Sequence, residues 1–142
     1  MRLNRATDTA LRVLMLLAKV PAPMSVVALA ARLDVPHSNA MKIIARLSAA
    51  GFVETQRGRG GGVTIGMPAE AITVGRIVAL FETDMAVVEC LGDGDVTCPF
   101  LPRCALKRAM SAATEAFIAS LDGYSLADIA GRSQLPRALV TG

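Results

Sequence analysis

Apolar residues recur at helical spacing from the third residue onward. Leu3, Ala10, Leu14 and Leu17, with Val13 beside them, share one face of a helix over about 3–18. Pro21 and Pro23 end it, and Ser25 is placed to cap a second helix over 26–33, with Leu29 and Leu33 facing inward. Asp34-Val35-Pro36 turns tightly into a third helix over about 37–50, whose inward line is Ile43, Ile44 and Leu47. Gly51 stands where helices commonly stop. The pattern then changes to two short strands, 52–56 and 63–65, joined by Arg57-Gly58-Arg59-Gly60-Gly61-Gly62. Such a hairpin tip has little side-chain bulk and can approach another backbone closely.

Thr73 opens a fourth helix to about Glu82. Residues 83–102 have no clean period and hold Gly92, Gly94, Pro99 and Pro102. A structureless stretch of that length in a small domain usually serves a function. A long helix follows from Cys104 to about Leu121, with Leu106, Ala109, Met110, Ala113, Phe117 and Leu121 on its apolar line. Its small residues permit close approach of a second helix, so these six positions are expected to dock on a twofold mate in a homodimer. Ser125 caps a last short turn, and the tail from Gly131 reads as frayed. The expected fold class is mainly α: a winged helix-turn-helix domain with a two-stranded β wing, plus a long C-terminal dimerisation helix. The expected divisions are 1–81 for the winged helix-turn-helix, 82–104 for the cysteine loop, 105–130 for the dimerisation helix and C-terminal turn, and 131–142 for a flexible tail.

Composition narrows the class of protein. In 142 residues, 53% are hydrophobic, too many for a disordered chain and the right number for one compact domain. Lys19 and Arg32 interrupt the richest apolar part, so no membrane span is expected. Asp8 and Arg12 fall where a secretory signal would need an apolar core. A cytoplasmic location is therefore expected. One histidine and no Ser-His-Asp set argue against an enzyme. The charge is also divided: residues 1–76 carry ten Lys/Arg and four Asp/Glu, while residues 77–142 carry five and eight. A basic front of this kind suits a polyanion when its charges share a surface.

Three short helices followed by a two-stranded hairpin is the order of a winged helix-turn-helix. If the third helix reads DNA, its outward face should be polar. Asn39, Lys42 and Arg46 fall at i, i+3 and i+7, opposite the apolar line, with His37 and Ser38 at the leading end. These side chains can donate to base edges and phosphates. Arg57 and Arg59 at the wing are suited to a backbone or minor-groove contact. Polar helix faces are often merely solvated; the helix order, the stripe and the basic wing together point to double-stranded DNA.

Every cysteine of the chain lies in one pattern, Cys90-x7-Cys98-x5-Cys104. Three thiols cannot all pair within one chain, and a cytosolic setting disfavours structural disulfides. The spacing lacks the close pairs typical of zinc. An iron–sulfur cluster, another metal or plain redox thiols, and buried inert cysteines all remain open. Asp8 is a possible fourth ligand, although Arg12 at i+4 offers it a local salt bridge instead.

The chain resembles the Rrf family of small bacterial winged-helix regulators. The resemblance is carried by Met1-Arg2-Leu3, Thr7-Asp8, Ala10-Leu11-Arg12, Lys42-Ile43-Ile44 with Leu47, and Ala50-Gly51-Phe52-Val53. It continues through Arg57-Gly58-Arg59-Gly60-Gly61, Val88-Glu89-Cys90, Cys98-Pro99, Cys104 and Leu121-Asp122-Gly123-Tyr124-Ser125-Leu126-Ala127-Asp128. It implies a homodimeric repressor, bound to a palindromic operator, with an iron–sulfur cluster on Cys90, Cys98 and Cys104. The cluster implied is [4Fe–4S], with [2Fe–2S] as an alternative. In some members an aspartate at the position of Asp8 completes the coordination from the other subunit. Asp8 and the Tyr124-Ser125-Leu126-Ala127-Asp128 ending resemble the branch that answers to nitric oxide; the seven-residue gap after Cys90 is shared with an iron-responsive branch. Lys107 stands where the cluster-homeostasis branch has a histidine ligand.

Overall fold

Helix α1 (Arg5–Lys19) starts at Asn4, whose side-chain oxygen accepts the Thr7 amide at 2.8 Å. This satisfies one of the amides a helix N-terminus leaves without an internal partner. The computed structural model describes residues 2–101 and 103–136. In it, Ala10, Val13, Leu14, Leu16 and Leu17 are buried along one side of α1, at the centre of the core. Each fully buried leucine of that row stabilises the fold by about 1.5–3 kcal/mol relative to exposure.

Helix α2 (Val26–Leu33) is capped by Ser25, whose hydroxyl accepts the Ala28 amide at 3.1 Å. It ends at Asp34, which adopts φ 51°, a left-handed conformation that aspartate tolerates better than most residues. That one residue turns the chain sharply into α3 (His37–Ala49), which buries Ala40, Ile43, Ile44 and Leu47 against α1 and α2. The wing follows as β1 (Val53–Gln56) and β2 (Gly62–Ile65), antiparallel with Val53 opposite Ile65 and Gln56 opposite Gly62.

One pairing lies outside the sequence reading. Met24 exchanges two backbone hydrogen bonds with Val63, at 3.1 and 2.8 Å, so the segment before α2 lines the outer edge of β2. A Cβ on Gly62 would come within 2.8 Å of the Met24 nitrogen, and a glycine is what lets the strands meet.

Helix α4 (Val74–Phe81) is capped by Thr73 and buries Val74, Ile77, Val78 and Phe81. Between α4 and α5, the described residues form one 3-10 turn, Glu89–Leu91. Helix α5 (Ala105–Asp122) leans on α4, yet every one of its residues keeps some exposure. Helix α6 (Leu126–Arg132) is more than a turn. Ser125 and Asp128 close a reciprocal capping box, and Leu126 is fully buried in the core that α1 organises. The C-terminal turn expected to go with the dimerisation helix therefore packs on the N-terminal unit. Gly131 and Arg132 belong to α6, and Leu135 rests against the core; residues 137–142 of the expected tail lie outside the described residues. Among the described residues, no helix is long and apolar enough to cross a membrane.

Candidate functional site

The apolar positions of α3 face inward, which turns its polar stripe outward. His37, Ser38, Asn39 and Lys42 are all exposed at the leading half of the helix. Pro36 occupies the N-cap without a side-chain cap, and its carbonyl accepts the Asn39 and Ala40 amides at 2.9 and 3.0 Å. Asn39 and Lys42 line a cleft of about 350 Å³ together with Arg5 and Thr9 of α1 and Val35 and Pro36 of the turn. Arg5 thus adds a cation to the side of the cleft opposite Lys42. The sequence reading did not single it out, although its place at the start of a helix in a basic front was a signal.

The wing tip is shaped by glycines. Gly58 and Gly60 adopt φ 99° and 82°, and a Cβ on Gly61 would stand 2.2 Å from the Gln56 carbonyl oxygen. Arg57 and Arg59 are exposed on either side of Gly58, on the same tip. Arg46 takes a different path from the rest of the stripe. Its guanidinium lies 4.6 Å from the centroid of the Phe81 ring and donates to the Leu80 carbonyl, at the end of α4. A cation there meets the negative end of the helix and the face of an aromatic ring at once.

The end of α4 holds α1 as well. The Glu82 carboxylate accepts the Asn4 amide at 2.7 Å and the Asn4 side-chain amide at 3.1 Å. It also accepts the hydroxyl of Thr7, which is fully buried. Asp8, one residue further, is bound to Arg12 at 2.8 Å in the local i,i+4 pair. The structure leaves it on α1, apart from the cysteines.

All three cysteines are free and half-buried. Cys104 is the N-cap of α5, and its sulfur accepts the Lys107 amide at 3.4 Å. Cys90 sits in the 3-10 turn that touches α5, and Cys98 in the stretch between. Among the described residues, no three His, Cys, Asp or Glu side chains stand together as a metal-holding group. Of the six positions on the apolar line of α5, Leu106 is 58% exposed, Ala109 and Ala113 are exposed, and Met110, Phe117 and Leu121 are half-buried. Phe100, in the cysteine segment, is 73% exposed.

Comparison with known proteins places this arrangement. The family model for Rrf2, described as an iron-dependent transcriptional regulator, matches residues 3–132. The chain is 40% identical over 131 residues to the HTH-type transcriptional regulator NsrR of Bacillus subtilis, covering 91% of this chain and 90% of that protein. It is 42% identical over 132 residues to the HTH-type transcriptional repressor NsrR of Streptomyces coelicolor, covering 91% and 88%. Among solved structures it is similar to CymR, the global cysteine regulator of B. subtilis, with a TM-score of 0.74 at 25% identity over 94% of this chain and 99% of that one. The structure of IscR from T. potens has the same fold, with a TM-score of 0.72 at 19% identity over 97% and 96%.

Proposed function

The chain belongs to the Rrf2 family of iron-dependent transcriptional regulators, DNA-binding proteins rather than enzymes. From that premise we propose that it is a homodimeric, cytoplasmic repressor that senses nitric oxide through an iron–sulfur cluster held by Cys90, Cys98 and Cys104. The observation that carries this reading is the placement of every thiol of the chain. All three are unpaired on the one segment that joins the helix-turn-helix unit to the exposed helix α5.

The donor chemistry suits the group. Thiolates are the ligands iron–sulfur clusters take, and the Cys104 sulfur already accepts an amide at a helix N-terminus. Bound there, the cluster supplies iron that reacts with nitric oxide. The thiols do not converge within one chain, so holding a cluster entails rearrangement of residues 83–103. Asp8 would have to leave Arg12 to serve as a fourth ligand, and a second chain is its natural partner in that role.

His37, Ser38, Asn39 and Lys42 would enter the major groove, with Arg5 beside them on phosphate and Arg57 and Arg59 at the wing. Arg46 joins them only if it leaves Phe81. Leu106, Ala109, Met110, Ala113, Phe117 and Leu121 would face their twofold mates, and a dimer of this kind reads a palindromic operator.

A second reading is favoured by the family's description as iron-dependent: repression that answers to iron supply. One experiment separates them. The anaerobic protein is titrated with nitric oxide while its visible absorbance and its binding to a duplex, selected by the protein from a random-sequence pool, are followed together. Bleaching and DNA release at matching stoichiometry are expected. A coloured protein that ignores nitric oxide and releases DNA on iron chelation is an iron sensor, and a colourless protein that binds DNA regardless has neither function.

A further inference from the structure

Three consecutive residues at the end of α4 hold both helices that carry the DNA-facing groups. Leu80 and Phe81 engage Arg46 of α3, through the carbonyl bond and the 4.6 Å stacking contact. Phe81 and Glu82 engage the start of α1. The Phe81 carbonyl accepts the Asn4 side-chain amide at 3.0 Å, and Glu82 accepts the Asn4 backbone amide at 2.7 Å together with the Thr7 hydroxyl. Residue 83 then opens the segment that carries the cysteines. Phe81 is itself 2% exposed, so this junction is fixed in the core rather than draped over it.

We propose that Arg46 and Glu82 are positioning residues that transmit the state of the cysteine segment to the DNA-reading surface, Arg46 through α3 and Glu82 through α1. The inference depends on the cluster reading above and goes beyond it by naming the contacts that connect the two ends. The physical basis is short. The last carbonyls of a helix lack internal partners, and the Arg46 guanidinium satisfies one of them while lying on a buried ring. Arg46 is one turn beyond Lys42 on the same stripe, so displacement of the α4 end displaces the lysine's helix or frees the arginine. Glu82 is the only acid touching the α1 start among the hydrogen bonds of the described residues; it accepts two bonds from Asn4 and one from Thr7, on either side of Arg5 of the cleft. When residues 83–104 rearrange, the strain falls first on these contacts. Coupling between two sites requires such an element with two arrangements, biased from both ends.

The test compares wild type with Arg46→Met, Arg46→Lys and Glu82→Gln. Each is prepared in the metal-free and cluster-reconstituted forms, and its affinity is measured for the duplex selected by the wild-type protein. Iron and sulfide per chain and the thermal midpoint are recorded alongside. In wild type the ratio of the two affinities is expected to be about tenfold or more, within the usual range of coupling. Arg46→Met and Glu82→Gln are expected to bring that ratio close to one with iron and sulfide content unchanged, and Arg46→Lys to restore part of it. A merely structural role lowers the thermal midpoint and leaves the ratio alone. An arginine that only touches phosphate lowers both affinities equally. Either result overturns the proposal, as does loss of iron from the variants. A wild-type ratio of one overturns the cluster reading itself, and the relay with it. Hydrogen exchange of the α3 amides gives a readout independent of DNA: loading should change it in wild type and not in Arg46→Met.

Discussion

Gly75 and Asp122 meet where α4 crosses α5: a Cβ built on Gly75 falls 2.3 Å from Asp122 Oδ1 and 3.0 Å from the Ile118 carbonyl oxygen. The Asp122 carboxylate is held in that place by the Thr73 hydroxyl at 2.6 Å, so the residue that caps α4 also ties down the end of α5. Beside it, the Val74 amide donates to the Tyr124 carbonyl at 2.9 Å, and the Leu126 amide to that of Ile72 at 2.7 Å. The otherwise exposed helix α5 is thus anchored at its C-terminal end.

Gly75→Ala is therefore expected to push the two helices apart and destabilise the chain by about 1–3 kcal/mol. Asp122→Ala in the same chain should recover part of the loss, because the closer of the two obstacles is the carboxylate. Urea unfolding of the two variants and wild type measures this. Equal stability of wild type and Gly75→Ala would show that the crossing is looser than the 2.3 Å approach implies.

Cys104 is an N-cap and a proposed cluster ligand, and one pair of substitutions separates the two. As N-cap it accepts the Lys107 amide, and serine caps helices better than cysteine does. Cys104→Ser should leave α5 intact while abolishing iron and sulfide uptake. Cys104→Ala should abolish uptake and also lower stability, by about 0.5–1 kcal/mol. Metal analysis after reconstitution, beside a thermal melt, reads both.

Asp8 pairs with Arg12 while more than half of each side chain is exposed, so Asp8→Ala should cost less than about 0.5 kcal/mol. Cluster retention is the informative quantity. A fall in iron per chain at unchanged stability assigns Asp8 to the ligand set, and unchanged iron content and unchanged response to nitric oxide remove it.

At the wing, Gly61→Ala cannot keep the present tip, since its methyl would overlap the Gln56 carbonyl oxygen. Weaker duplex binding is expected, with little change in melting temperature because the tip is exposed. The Lys42→Ala/Arg59→Ala pair should lower affinity and reduce the salt slope of log Kd by about two. Titrations at several salt concentrations test this, and an unchanged slope would remove both residues from the phosphate contacts.

Asp128 supplies a pH dependence. The Ser125 hydroxyl, then the Ser125 backbone amide, hold its carboxyl below the ordinary value of 3.8. A group whose folded value is depressed stabilises the fold above its unfolded value, and that contribution disappears as pH falls through the folded one. Stability measured from about pH 5 downward should therefore fall less steeply in Asp128→Asn than in wild type. Parallel acid limbs would show that the capping box contributes nothing through charge.

The local elements were legible in the sequence because their physics is local. The third helix, expected over 37–50, is His37–Ala49, and the caps expected at Ser25, Thr73 and Ser125 each accept an amide three residues on. Helical spacing of apolar residues and capping oxygens act within one turn, and a run of glycines between strands leaves few alternatives to a hairpin. The helical character of α5 was legible for the same reason: Leu106, Met110, Phe117 and Leu121 recur at helical spacing along it.

Tertiary structure decided the contacts between residues far apart in the chain. Met24 against Val63, Asp122 beside Gly75, and Leu126 in the core of α1 depend on how the helices cross, which no local pattern encodes. Arg46 is the clearest case. Its place on the polar stripe marked it for DNA, and the fold instead laid it on Phe81 and the end of α4, 34 residues away at Leu80. A cation on a helix face takes whichever partner comes within reach, and only the packing of α4 put a carbonyl and an aromatic ring there. The sequence by itself singled out the candidates for contacting DNA and for holding a cluster, because residue type and local spacing carry that information; the crossing of α1, α3 and α4 decided which residues are joined to one another.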